Sequence, residues 1–219
     1  MTDSKVVSVQ IADSLRRQIL SGDLMPGERI RQEEIAEEFN ASRIPVREAL
    51  RILVTDGLVE VVANAGAWVS GLTMAECIEQ YQIRERIEPL LLRSSLENFD
   101  ESLLPKLEEL VGALERNQDV KTFMELDRQF HMLTYSGAPD TALKEIIVRL
   151  WNTTQPYRRV YTKLVGSPGL SVTHLEHRLL LEAIARRDHE DAERILSGHI
   201  RRTRIALAQH PEVFKAVND

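Results

Sequence analysis

Apolar residues fall at helical spacing over most of the chain and shift to strand-like runs only once. In residues 8–21, Ile11, Leu15, Ile19 and Leu20 line one helical face, Arg16 and Arg17 lie on the other, and Ser21-Gly22-Asp23 ends the run. Pro26-Gly27 marks a tight turn. Residues 32–39 predict a second, short helix with Ile35, Ala36 and Phe39 inward. After the turn Asn40-Ala41-Ser42, a third helix is expected, with Ser42 as its N-cap. Pro45 falls in the first turn of that helix, where its missing N–H costs nothing. Val46, Ala49, Leu50 and Leu53 supply the buried face, and Asp56-Gly57 stops it. The β-prone runs Leu58–Val62 and Ala67–Val69, joined through Ala63-Asn64-Ala65-Gly66, predict a hairpin.

Gly71-Leu72-Thr73 reads as a hinge, with Thr73 capping a long helix. From there the pattern predicts helices over 75–97, 102–116, 120–135, 140–154, 172–186 and 189–208, with a loop at 166–169 and a frayed C-terminus. The expected fold is mainly α. A winged helix-turn-helix with a small β-hairpin wing (1–72) precedes an antiparallel all-α helical bundle (75–219).

The net charge of −6 argues against nucleic acid, and the first 73 residues also carry more acids than bases. Phosphate binding, however, depends on local placement rather than on the sum. Arg43, Arg47 and Arg51 recur every four residues, with Glu48 the one acid among them. On the second helix of a helix-turn-helix, Arg43 is placed for guanine in the major groove, Arg47 for a base edge or phosphate, and Arg51 for phosphate. Arg29 and Arg31 lie where they reach the DNA backbone. The competing reading is a solvated face paired with Glu33, Glu34, Glu37 and Glu38.

The stretch PGERIRQEEIAEEFNASRIPVREALRILVTDGLVEVVANAGAWV closely resembles the N-terminal domain of the bacterial GntR family of regulators. Its core is Ser42-Arg43-x-Pro45-Val46-Arg47-Glu48-Ala49-Leu50, followed by Asp56-Gly57-Leu58 and Gly66. The resemblance implies that Arg43 and Arg47 read or clamp an operator and that the wing around Gly66 lies along the minor groove. Ile44 stands where the family often has threonine, which bears on half-site preference.

In the helical part, Asp127 and His131 are four residues apart and share a helix face, while His177 and His199 lie on later helices. One carboxylate and three imidazoles suit Zn, Ni, Mn or Fe, although the spacing is equally that of ordinary polar residues. His174 shares the face of His177 and is a possible substitute ligand; His189 and His210 read as solvated. The region resembles the FCD effector domain of the FadR-type branch. Its marks are Ile83-Arg84-x-x-Ile87-Glu88-Pro89-Leu90, Asp127-x-x-Phe130-His131, Glu176-His177-x-x-Leu180 and His199-Ile200. The resemblance implies a divalent metal ion on Asp127, His131, His177 and His199, with Arg84 and Asn152 as ligand contacts. The residues alone leave Arg84 equally well explained as a surface pair with Glu88.

The expected function is therefore a non-enzymatic transcriptional regulator. It would bind a palindromic double-stranded DNA operator as a homodimer and respond to a small carboxylate-type effector. A metal-dependent hydrolase and a regulator with a purely structural metal are the alternatives; no nucleophile elbow, phosphate loop or H-E-x-x-H supports the hydrolase. The lone Cys77 fits a reducing cytoplasm and a filler role. No membrane span or apolar leader is expected.

Overall fold

A computed structural model describes residues 2–63 and 65–218, with side-chain surroundings for 5–63 and 65–217; Asn64 of the expected wing turn lies outside these residues. Three helices come first, α1 (Thr2–Ser21), α2 (Gln32–Glu38) and α3 (Arg43–Thr55). They pack with three short strands, β1 (Arg29–Ile30), β2 (Val59–Val62) and β3 (Gly66–Val69), in the antiparallel order β1-β3-β2. Ile11, Leu15, Ile19, Val46, Ala49, Leu50, Leu53 and Val69 form one dry core there. The α1 helix begins six residues earlier than the apolar stripe suggested, since nothing in residues 2–7 breaks a helix. Strand β1 is an addition: two residues are too short to show alternation, and Arg29 pairs with Trp68 only through the fold.

The second part comprises α4 (Met74–Leu96), α5 (Leu104–Arg116), α6 (Val120–Thr134), α7 (Ala142–Gly169), α8 (Ser171–Ala185), α9 (His189–Ala208) and α10 (Glu212–Asn218). Thr73 and Glu76 close a reciprocal capping box at the start of α4, satisfying two of its otherwise unpaired backbone donors. A separate core built on Leu91, Leu92, Leu107, Phe130, Trp151 and Leu196 holds these helices together. Cys77 is a fully buried member of it, and burial pushes its thiol up to about 12, as befits a filler.

Three expectations fail in this part. The helix expected to end at residue 154 continues through Pro156 to a kink at Gly166, whose φ of 60° and ψ of −176° leave helical space, and the loop expected at 166–169 reduces to that kink, with residues 167–169 helical. The C-terminus is not frayed after Gln209: α10 buries Val213, Phe214 and Val217, and Phe214 stacks on Tyr157 of α7 at 5.0 Å. Among the described residues, no helix is long and apolar enough to cross a membrane.

Candidate DNA interface and four-donor centre

Helix α3 turns Val46, Ala49, Leu50 and Leu53 into the core and leaves Arg43, Arg47 and Arg51 exposed. Ser42 occupies the N-cap with extended backbone, yet its side chain makes no capping hydrogen bond. A groove of about 710 Å³ runs between this helix and the wing, lined by Gln32, Arg47, Arg51, Val61, Val62 and Gly66 among others. Arg29 steadies the wing, donating to the Ala65 carbonyl at 3.3 Å and covering the Trp68 ring.

The solvated-face reading of the arginines is partly met. Arg43 pairs with Glu33 at 3.4 Å, Arg31 with Glu34 at 2.9 Å and Arg51 with Glu48 at 2.6 Å. Each is an exposed pair of the kind worth about 0–1 kcal/mol, so phosphate oxygens can displace the acids. Arg47 has no ion-pair partner among the described residues, and Ile44 is 68% exposed beside it.

Asp127, His131, His177 and His199 converge from α6, α8 and α9, and one donor atom from each lies within 4.8 Å of the others. All four are at most 8% exposed. The Nε2 atoms of His131 and His177 face each other at 3.2 Å, and Asp127 Oδ1 stands 3.3 Å from His177 Nε2. His199 Nδ1 donates to Glu176 Oε2 at 2.9 Å, which turns its Nε2 lone pair to the centre. Arg202 holds the other oxygen of Glu176.

Burial disfavours the charged form of Asp127, but Arg158, His177 and His131 outweigh it and hold the carboxyl well below its ordinary value. Burial pushes the imidazoles of His131 and His177 below theirs. An ionised carboxylate beside neutral imidazoles is the protonation state a divalent cation needs. The other buried oxygen, Asp127 Oδ2, lies 2.7 Å from Arg158 Nη1 without hydrogen-bond alignment, and Arg158 Nη2 has no partner among the described residues.

His174 is not among the converging donors; it sits edge-on to Phe123 at 5.9 Å. His210 is half-buried against Tyr161 and bonded to Glu212. Arg84 is not a surface residue. It is 3% exposed, binds Glu88 at 2.8 Å, donates to Thr154 and covers the Trp151 ring at 4.4 Å. Asn152 is buried between Arg128 and the carbonyl of Asp56. Arg158 was missed from sequence, and Glu176 was seen only as a mark of the family resemblance, without a role; it precedes His177 directly, but only the packing of α9 on α8 shows that it faces His199.

Residues 7–69 match the family of bacterial regulatory proteins named gntR, and residues 79–202 match the FCD domain. The chain belongs to the GntR family. It is 29% identical over 204 residues to the HTH-type transcriptional repressor RspR of Escherichia coli, covering 91% of this chain and 88% of that protein. It is 28% identical over 195 residues to the HTH-type transcriptional regulator YdhC of Bacillus subtilis, covering 87% and 86%. The solved structure of E. coli McbR/YncC superposes with a TM-score of 0.81 at 26% identity, covering 93% of this chain and 98% of that one. This GntR-family member is thus a DNA-binding transcriptional regulator and not an enzyme. Its winged helix-turn-helix and helical FCD part are the architecture those regulators share.

Proposed function

We propose that this regulator binds a palindromic operator as a cytoplasmic homodimer and that a divalent cation, with a small carboxylate as effector, modulates that binding. The observation that carries the reading is the convergence of one carboxylate and three imidazoles within 4.8 Å, with His199 oriented by Glu176. Residues 1–72 read DNA through Arg43 and Arg47, with Arg31, Ser42, Arg51 and Gly66 at the phosphate backbone and wing. Residues 75–219 hold the cation on Asp127, His131, His177 and His199; imidazole with carboxylate suits Zn, Ni, Mn or Fe. A bound cation would supply positive charge and open coordination positions for an acid. The unpartnered Nη2 of Arg158 offers the acid a second anchor, whereas Arg84 and Asn152, the contacts the family resemblance suggests, are buried and already bonded to Glu88 and Arg128.

Burial of the four donors favours a second reading, in which the metal is purely structural. Equilibrium dialysis with zinc separates the outcomes. One ion per chain is expected, lost in His131→Ala and His177→Ala, and zinc-loaded protein should then gain thermal stability from small di- and tricarboxylates. A chain that binds no zinc contradicts the metal assignment. One that binds zinc and no acid supports the structural reading.

A further inference from the structure

Helix α7 has two working faces. On one, Trp151 lies against His131 at 5.1 Å and Arg158 pairs with Asp127. The other meets the C-terminal ends of α3, the recognition helix, and of α1, which packs behind it. Asn152 Nδ2 donates at 3.0 Å to the carbonyl of Asp56, which follows α3, and Gln155 Nε2 donates at 3.0 Å to the carbonyl of Leu20, in the last turn of α1. The oxygens of both amides are taken by one guanidinium, that of Arg128: Nη2 to Asn152 at 2.7 Å and Nη1 to Gln155 at 3.1 Å. Arg128 directly follows Asp127 on α6.

The orientation of both amides is fixed by chemistry. A guanidinium only donates, so it must face amide oxygens; a carbonyl only accepts, so it must face the NH₂ groups. Arg128 has no carboxylate partner among the described residues, and burial first, then Arg158, Arg84 and Arg16, pull its pKa down to about 10. A half-buried cation without a counter-ion is costly, and its guanidinium hydrogen bonds go to the two amides. Close packing reinforces the joint. Gly57, at φ +73°, would place a Cβ 2.8 Å from Arg149, and Gly22, at φ +85°, would place one inside the Arg159 guanidinium. Asp56 also binds Arg16 of α1 at 2.6 Å, so α1 and α3 are tied to each other where α7 grips them.

We propose that Arg128, Asn152 and Gln155 are positioning residues, a polar bracket that sets α1 and the recognition helix α3 against the helix bearing Asp127 and His131, so that a change at the four-donor centre alters operator affinity. The coupling part rests on the function proposed above; the bracket itself does not.

The full chain is compared with Asn152→Leu/Gln155→Leu, which keeps volume and removes both amide bridges while leaving Arg159 Nη1 on the Leu20 carbonyl at 3.2 Å, and with Arg128→Gln, which removes only the guanidinium. Hydrogen exchange is read without DNA or zinc. Operator affinity is read on a fragment enriched by the wild-type protein, with zinc and with chelator. Both variants should exchange about fivefold faster or more at the amides just after α1 and α3, the factor one hydrogen bond is worth. Zinc affinity should stay within about twofold of wild type, because no donor is touched, while the ratio of operator affinities with and without zinc falls towards one. Wild-type exchange at both joints in either folded variant overturns the bracket; faster exchange with an unchanged zinc ratio overturns the coupling. If wild-type protein shows no zinc effect on operator binding, the metal-responsive function fails, and the exchange data still decide the bracket.

Discussion

Glu176 accepts a hydrogen bond from His199 across two helices at 2.9 Å, and it is the contact that turns the fourth donor of the centre inward. Without it the imidazole is free to take the other tautomer and rotate. Glu176→Ala should lower zinc affinity by about 10–100-fold while leaving the four donors in place, the usual effect of losing such an outer partner. Competition against a chromogenic chelator measures this; unchanged affinity would remove Glu176 from the site.

The recognition helix offers a sharper contrast. Arg43→Ala and Arg47→Ala should each weaken operator binding by about 1–3 kcal/mol with the helical part still folded. If one of them pairs with a guanine, its loss should also relax selection at that base. Ile44 is exposed at the N-terminal turn of α3, where an apolar side chain can contact a thymine methyl. Ile44→Thr should therefore shift the half-site recovered by selection from random DNA, at little cost in stability. An identical selected site would exclude Ile44 from base readout.

Much of this was legible locally. The α3 helix, its arginines, the wing and the span of α9 follow from periodicity and turn residues, signals that lie within a few residues of each other. What escaped depends on distant partners. Helix α7 continues past residue 154 because Tyr157, Arg158 and Thr162 are buried against other helices, and α10 forms because Phe214 finds Tyr157. The ligand contacts suggested by resemblance illustrate the same limit. Arg84 is engaged by Glu88 and Thr154, whereas Arg158, four helical turns into α7, is the guanidinium that touches Asp127.

Glu88 is wholly buried and accepts from Arg84, Tyr135 and Trp151. Removing it strands the Arg84 charge in the core. Glu88→Ala should cost about 3–5 kcal/mol of stability, the range for breaking a buried pair from one side. Urea unfolding measures the loss; a cost below about 1 kcal/mol would show that the network relaxes around the gap.

The buried imidazoles set a pH dependence for the metal-free protein. Their pKa values lie below the ordinary 6.5, so as pH falls through 6.5 the unfolded chain takes up protons that the folded one does not. The folded state therefore loses stability on acidification through that window, until the folded values are reached. Chelator-treated protein should unfold at lower urea at pH 5 than at pH 7, and His131→Ala should flatten the difference. Equal slopes in the two proteins would show that His131 is already protonated when folded.

The most direct measurement is a titration of wild-type protein onto an enriched operator at low salt, once zinc-loaded and once chelator-treated, followed by fluorescence anisotropy. Two distinct dissociation constants are expected, merging into one in His131→Ala/His177→Ala and each weakening steeply with added salt. Superimposable curves for wild type in zinc and in chelator would contradict control of DNA binding by the four-donor centre.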